Sequence, residues 1–204
     1  MLTYTRKGLP IAIVGDSKFL VDCCLGRACT QDPKILRLLS IAQEALRQMT
    51  TSFSVKCFTK RELLIHTPRK DNAAADAAAN KALDEGDFAE IWEAALDSFC
   101  EHALQSPDAE LGLLFSFDGA SRGNPGKASH GNCCWWGEWI NGAFVTRASL
   151  FCIGRRTGRN TNNIAEAQGL AFAAKAALHF NFWFHETCTK VVEGHKLHST
   201  RGVL

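Results

Sequence analysis

The alternation of hydrophobic and polar positions divides the first 83 residues into short strands and amphipathic helices. Between 33 and 49 the apolar residues recur at the spacing of one helix face. Asp32 and Pro33, just at its start, are typical of a helix N-terminus. The pattern predicts five elements: a buried strand at 9–15, a helix at 17–25, a helix at 33–49, a strand at 53–66 and an Ala-rich helix at 72–83.

A single helix is predicted within the segment 84–108. Its apolar residues fall on one helical face, and its acidic residues lie outside that face. The apolar residues are Phe88, Ile91, Trp92, Ala95, Leu96, Phe99 and Ala103. We therefore expect an amphipathic helix that joins the two flanking parts of the chain and packs on the outside of the domain.

Strand-like runs dominate after residue 110. The pair Asn141-Gly142 stands between two of them and is a strong hairpin signal. A Gly-rich stretch, SRGNPG, follows Asp118-Gly119 and predicts a loop. The predicted elements are strands at 111–117, 131–139 and 143–153, a helix at 164–180 and a short strand at 190–193.

Composition narrows the class of protein. Of 204 residues, 46% are hydrophobic and 22% are charged, which excludes a collagen-like, low-complexity or wholly disordered chain. No apolar run approaches the roughly 18 residues of a membrane-spanning helix, and we find no signal-peptide pattern, so we expect neither membrane insertion nor secretion. The nine cysteines include two adjacent pairs and no CxxC motif. They predict buried thiols in a reducing compartment, the cytoplasm or nucleus, rather than disulfides or a zinc site.

Charge is segregated along the chain. Between 84 and 110 there are nine acidic residues and no Lys or Arg, which leaves 23 basic and 12 acidic residues elsewhere. The balance is therefore +11 outside this stretch, against +2 for the whole chain. A basic body is compatible with a polyanionic partner, and the acidic segment is then expected to face away from it. An exposed helix with charged faces is the alternative explanation.

Four carboxylates are candidates for a shared site, two directly after predicted strands and two in predicted helices. Asp16 and Asp118 each follow a strand; Glu166 begins one helix, and Asp76 lies inside another. Acids that converge at the carboxyl ends of strands repel one another unless a cation lies between them, and Mg²⁺ is a hard ion that prefers such ligands. Taken singly, each acid has an ordinary explanation as a turn, cap or solvent-facing residue.

Motifs around these acids carry a family resemblance. FDGASRGNPG at 117–126 and TNNIAEAQGL at 161–170, separated by two predicted strands, resemble the first half of a type 1 ribonuclease H domain. IVGDSKFLVDCCLG at 13–26 resembles that family's fourth strand and the helix after it, and HTPRKDNAAADAAANKAL at 66–83 resembles its last motif. The resemblance is closest to the plant and bacterial ribonuclease H-like branch. It covers most of the chain outside 84–107 and the tail.

The resemblance implies roles for individual residues. The metal-binding carboxylates would be Asp16, Asp76, Asp118 and Glu166, holding two Mg²⁺ ions, with Mn²⁺ as a possible substitute. His66 would assist product release. Nucleic-acid contacts are implied for Ser17, Lys18, Gly119, Ser121, Arg122, Asn124, Lys127, Asn162 and Asn163. The three asparagines match groups that contact the minor groove and 2′-hydroxyls of an RNA–DNA hybrid. Further candidates for phosphate contacts are Arg155, Arg156 and Arg159.

The two halves of the family pattern occur in reversed order. The resemblance divides the chain into a C-terminal half at 1–83, the acidic helix at 84–108, an N-terminal half at 109–182 and a degenerate repeat strand with tail at 183–204. KVVEGHKL at 190–197 resembles AIVGDSKF at 12–19, with His195 in place of Asp16. The chain is therefore either a circular permutant or a piece of a tandem array.

The first of the two repeated strands is expected to complete the sheet. Residues 9–15 are more apolar than 189–193 and keep their acid, so we expect them to lie beside 111–117. The predicted fold is α/β: a ribonuclease H-like five-stranded mixed sheet with three antiparallel strands, flanked by helices, with permuted connectivity.

The function that the resemblance implies is an endonuclease that hydrolyses the RNA strand of RNA–DNA hybrids. The reversed order and His195 leave open a catalytically degenerate module that only binds nucleic acid. Two further alternatives are another metal nuclease of the superfamily, such as a transposase or resolvase core, and a retroelement-derived fragment completed by swapping halves in a dimer. The expected partner is an RNA–DNA hybrid or another nucleic acid, without a membrane, and the expected state is a monomer or a half-swapped homodimer.

Overall fold

The computed structural model describes residues 9–53, 63–106, 111–141 and 143–192. Within them lie six strands: β1 (Ile11–Gly15), β2 (Leu64–His66), β3 (Phe88–Ile91), β4 (Leu111–Gly123), β5 (Gly126–Ile140) and β6 (Ala143–Asn160). Five α-helices accompany them: α1 (Lys18–Cys24), α2 (Pro33–Phe53), α3 (Ala73–Glu85), α4 (Glu93–Gln105) and α5 (Asn162–Val192). Together they form a mixed α/β fold.

All six strands belong to one open sheet, in the order β2-β1-β4-β5-β6-β3. β1 is parallel to both β2 and β4, whereas β4, β5, β6 and β3 run antiparallel in turn. Ile13 faces Phe115 in the register between β1 and β4. The predicted pairing of 9–15 with 111–117 is therefore confirmed, and both parts of the chain build one sheet. The predicted number of five strands is wrong, because β3 adds a sixth.

Helix α3 packs closely on one face of the sheet. Gly131 and Gly154 face each other on β5 and β6. A Cβ atom at Gly131 would lie 2.3 Å from the carbonyl oxygen of Ala75, and one at Gly154 would lie 2.7 Å from that of Ala78. Alanine on the helix and glycine on the strands thus allow backbone to approach backbone, which fixes α3 above the centre of the sheet.

The opposite face carries the larger apolar core. Helix α5 lies against β4 and β5, and α2 packs on α5. Leu39, Met49, Leu170 and Phe180 are among the buried side chains of this layer. α2 buries its predicted apolar face, including Leu39 and Met49. Asp32 accepts hydrogen bonds from the backbone N–H groups of Lys34 and Ile35 and so caps the start of the helix. None of the helices in the described ranges combines the length and apolar character needed to cross a membrane.

The helix predicted in the acidic segment is confirmed over Glu93–Gln105, but the prediction is wrong over Phe88–Ile91. The first apolar residues of the segment form β3, which pairs with β6, and the helix begins only at Glu93. A Cβ atom at Gly154 of β6 would lie only 2.3 Å from the Phe88 ring. Glycine at position 154 therefore leaves room for the aromatic side chain of β3. Phe99 of α4 is fully buried, with ring centroids 5.7 Å from Trp136 and 5.2 Å from Phe184. The apolar face of α4 is therefore part of the core, whereas β3 is a mostly exposed edge strand.

Other element boundaries also differ from the sequence predictions. β4 continues through Asp118 to Gly123, so the SRGNPG stretch is the tip of a hairpin rather than a loop after the strand. Helix α5 continues to Val192, so the strand predicted at 190–193 is wrong over 190–192. Of the strand predicted at 53–66, Phe53 belongs to α2, 64–66 form β2, and 54–62 lie outside the described residues. Residues 193–204, including His195, also lie outside them.

Candidate functional site

The four predicted carboxylates come from four different elements of the fold. Asp16 directly follows β1, and Asp118 lies within β4, the strand beside it. Asp76 lies in the first turn of α3, and Glu166 lies one turn inside α5. β1 and β4 are parallel neighbours with Val14 level with Ser116, so Asp16 and Asp118 lie at the same end of the two strands. The helices that carry the other two acids pack near this end.

Asp118 is the most deeply buried of the four. Only 4% of its surface is exposed. Burial raises the pKa of its carboxyl to about 8, and the negative charges of Asp16, Glu166 and Asp76 add to the rise, whereas a hydrogen bond from the backbone N–H of Gly119 opposes it. That hydrogen bond is 2.7 Å long. Asp118 therefore interacts electrostatically with all three other acids, two of which come from the first part of the chain.

Two polar side chains orient Glu166. The amide of Asn162 donates a 2.6 Å hydrogen bond to its carboxylate, and the Ser17 hydroxyl donates another. Burial raises the pKa of Glu166, the two hydrogen bonds oppose that rise, and the charge of Asp16 adds to it. A Cβ on Gly119 would lie 2.1 Å from the backbone nitrogen of Glu166. Glycine at this position therefore lets α5 lie directly on β4 and holds Glu166 beside Asp118.

Asn72 and Arg69 were not predicted as site residues. Asn72 is buried, and its amide donates to the Asp16 carboxylate at 3.2 Å and to the Phe117 carbonyl at 3.0 Å. The Arg69 guanidinium donates a 3.1 Å hydrogen bond to the Asp76 carboxylate. This hydrogen bond raises the pKa of Arg69, and the negative charges of Asp76, Asp118 and Asp16 raise it further. Both residues lie inside the 66–83 motif, which is the sequence signal that points to them.

His66 lies at the edge of this group of acids. It is the last residue of β2, where it pairs with Gly15 of β1, and its side chain is exposed. It therefore lies next to the chain position that precedes Asp16. His66 therefore ends a strand, in agreement with the strand predicted up to residue 66.

Predicted nucleic-acid contacts divide into internal and exposed residues. Ser17, Gly119 and Asn162 shape the surroundings of Glu166, as described above. The Asn124 side chain accepts a 3.4 Å hydrogen bond from the Asn162 backbone and so ties the hairpin tip to α5. Lys18 pairs with Asp22 on the same helix. Ser121 is half-buried near the tip. The exposed members of the set are Lys18, Arg122, Asn124, Lys127 on β5 and Asn163 in the first turn of α5.

The acidic segment contacts several of the candidate phosphate-binding arginines. Arg122 forms an ion pair with Asp84. Asp87 lies 3.7 Å from the Arg155 guanidinium and accepts a 2.7 Å hydrogen bond from the Arg156 backbone. The Arg156 side chain donates to the carbonyls of Ala82 and Leu83 at 2.9 and 3.2 Å, and so it caps the C-terminus of α3. Arg156 is accordingly a structural residue, and the segment does not lie apart from the basic hairpin.

The chemistry of the four acids suits a hard divalent cation. They offer only oxygen ligands. The pKa of Asp118 is raised mainly by burial and further by the negative charges of the other three acids, a repulsion that such an ion would offset. Across the part of the chain that the structure describes, no three His, Cys, Asp or Glu side chains stand at the spacing of ligands to one ion. The donor set therefore fits a metal, while the side-chain positions are not those of a formed coordination shell.

Comparison with known proteins adds little to this picture. No family model matches the chain, and no curated protein sequence matches it. Among solved structures, a subunit of the PelC dodecamer from Paraburkholderia phytofirmans is similar to 87% of this chain and 91% of its own, at 17% identity and a TM-score of 0.28. A similarity this weak carries no argument about fold or function.

Proposed function

We propose that this protein is a metal-dependent endonuclease that hydrolyses the RNA strand of RNA–DNA hybrids. The observation that carries the proposal is the electrostatic convergence of Asp16, Asp76 and Glu166 on the buried Asp118. These are the four acids to which the ribonuclease H resemblance gives a metal-binding role. The sheet order supports it too, because β1 and β2 extend the β4-β5-β6 meander on the side where a permuted ribonuclease H-like domain requires them.

The four carboxylates would hold Mg²⁺ or Mn²⁺. When bound, a pair of such ions supplies an activated water and stabilises the leaving oxygen. The protein's own part is to orient the ligands: Asn72 restrains Asp16, while Ser17 and Asn162 restrain Glu166. Arg69 places a positive charge on Asp76, which limits repulsion within the group. Burial of Asp118 excludes water from one side of the site.

Recognition of the hybrid is proposed for the exposed groups beside these acids. Asn163 stands at the start of α5, and Lys127 stands on the β4–β5 hairpin that Asn124 ties to that helix. An amide can hydrogen-bond a 2′-hydroxyl, which distinguishes RNA from DNA, and a lysine can meet a backbone phosphate. Both groups flank the strand that carries Asp118.

A cleavage assay tests the proposal. The full chain would be incubated with a hybrid whose RNA strand carries a label, with Mg²⁺ or Mn²⁺, beside matched duplex DNA and duplex RNA. We expect cleavage of the hybrid's RNA strand only, and a loss of more than about 100-fold in Asp118→Asn, since even a group outside the ligand shell typically contributes 10–100-fold. Asp97→Asn, an exposed acid on α4, is the matched control and should cleave normally.

A nucleic-acid-binding module without catalysis is the second candidate. It is favoured by the finding that no three candidate ligands in the described ranges stand at the spacing of one coordination shell. The same assay separates the two proposals when binding of the hybrid is measured in parallel. Tight binding without cleavage in either metal would overturn the endonuclease proposal and support this one.

A further inference from the structure

Two cysteine thiols face each other across the middle of the sheet. Cys133 on β5 is paired in register with Cys152 on β6, and their sulfur atoms are 2.8 Å apart. A disulfide bond is about 2.05 Å long, so less than 1 Å separates this contact from a covalent link. Both cysteines are free in this structure.

The surroundings make the two thiols unequal. Cys133 is 2% exposed, whereas Cys152 is half-buried. Both project to the face of the sheet that carries α3, because Gly131 and Gly154 form the neighbouring pair on the same face. Glu90 of the edge strand β3 is the register partner of Cys152. A small reagent can therefore reach Cys152, while Cys133 is reached only through it.

Electrostatics support the same division of roles. The hydrogen bond from the Cys133 thiol lowers the pKa of Cys152, burial and the charge of Glu90 oppose this, and the charge of Lys81 assists it. The same hydrogen bond raises the pKa of Cys133, and burial raises it further. Cys152 is thus the better nucleophile of the pair, since the thiolate is the reactive form.

The other cysteines do not share this arrangement. Cys23 and Cys24 are neighbours in one helix, Cys134 is buried and projects to the opposite face from Cys133, and Cys29 is exposed. Cys57 and Cys188 lie outside the residues whose side chains are described. Cys133 and Cys152, in contrast, lie on neighbouring strands with their sulfur atoms in contact.

We propose that Cys133 and Cys152 form a reversible two-thiol redox site that closes to a disulfide by exchange with a small-molecule disulfide. The Cys152 thiolate attacks one sulfur of that reagent, forms a mixed disulfide and releases one small thiolate. Cys133 then loses its proton and attacks the Cys152 sulfur, which expels the second small thiolate. Two protein thiols are oxidised, one small disulfide is reduced to two thiols, and their protons end on the released thiolates. The proposal is independent of the endonuclease function.

The consequence of closure is a covalent link between two central strands. The bond would span the β5–β6 hairpin and restrict the unfolded chain, so we expect the oxidised protein to unfold at a higher temperature. The folded state changes little, because the sulfur atoms are already in contact.

Oxidation of the full chain in mixtures of reduced and oxidised glutathione tests the proposal. Trypsin places Cys133 on the peptide 128–147 and Cys152 on 148–155, so the link joins two peptides that separate on reduction. We expect this linked pair, with fragment ions that assign the bond to Cys133 rather than Cys134. We also expect a melting temperature several degrees higher that returns to its starting value with dithiothreitol.

Variants and alternative outcomes keep the test decisive. Cys152→Ser should remove the linked peptides and the shift in melting temperature, and Cys29→Ser, the matched control, should retain both. If both thiols stay open to alkylation while Cys29 is glutathionylated, the proposal is overturned. A stable glutathione adduct on Cys152 without the link, or a link through Cys134, would overturn it too. Peptide mapping of the oxidised protein without substitutions shows whether the Cys133–Cys152 link forms, even if Cys152→Ser does not fold.

Discussion

At the scale of single residues, the candidate site combines an unfavourable carboxylate with side chains that hold it in place. Asp118 is buried and surrounded by three other acids, and a single backbone hydrogen bond from Gly119 opposes the rise of its pKa. Such a group costs stability when it is charged and is retained where charge has a use. Asn72, just before α3, donates hydrogen bonds to the Asp16 carboxylate and to the Phe117 carbonyl of β4, and so links the end of β1 to the strand that carries Asp118.

Replacement of Asp118 by asparagine should stabilise the metal-free protein at neutral and alkaline pH. Its pKa is raised from 3.8 to about 8 in the folded state. Between these values the folded protein holds a proton that the unfolded chain has released, so the free energy of unfolding falls as the pH rises through this range. Asp118→Asn removes that dependence.

The measurement is a melting curve in EDTA from pH 4 to pH 8. We expect Asp118→Asn to match the unsubstituted protein near pH 4 and to melt a few degrees higher at pH 8, where 1 kcal/mol corresponds to roughly 2–4 °C for a chain of this size. Asp97→Asn should show no such gain. A gain at pH 4 as large as that at pH 8 would refute the burial of a repelled charge.

At the scale of elements, local pattern predicted helices better than it predicted the edge of the sheet. Ala-rich α3 and amphipathic α2 form where expected, because each apolar stripe has a matching surface to pack on. The sequence of Phe88–Ile91 is equally consistent with a helix face or a strand. It forms a strand because it pairs with the free edge of β6, a distant part of the chain that a local pattern cannot take into account. α5 continues to Val192 because 181–192 contain no Gly or Pro, whereas the predicted strand there rested on a short repeat.

Truncation of Phe99 tests whether α4 belongs to the core. Phe99 is fully buried against Trp136, Phe180 and Phe184. We expect Phe99→Ala to lower the free energy of unfolding in urea by about 3–5 kcal/mol, the usual cost of removing a buried aromatic ring.

The control for this experiment lies on the same helix. Asp97 is exposed, and Asp97→Ala should change the free energy of unfolding by no more than about 0.5 kcal/mol. A loss below about 1 kcal/mol in Phe99→Ala would mean that the segment is an outer joining helix, as the sequence pattern alone suggested.

At the scale of the whole molecule, the order of the chain and the order of the sheet differ. Residues from the first part supply β1, β2, α3 and two of the four acids, while the second part supplies β4, β5, β6, α5 and the other two. Periodicity identified most of these elements, but it contains no information on which strands become neighbours. The pairing of β1 with β4 could be predicted only from the family resemblance of the two motif halves. The hydrogen bonds of Arg69 to Asp76 and of Asn72 to Asp16 could not be predicted from the sequence, because they depend on how α3 packs against the sheet.

The central claim is that acids from both parts of the chain serve one cation site, and a calorimetric titration with Mg²⁺ tests it most directly. The full chain would be compared with Asp16→Asn, Asp118→Asn and the control Asp97→Asn, each checked for folding by circular dichroism. We expect Asp16→Asn and Asp118→Asn each to weaken Mg²⁺ binding at least about 10-fold, with Asp97→Asn unchanged. Unaltered Mg²⁺ binding in folded Asp16→Asn would contradict the claim.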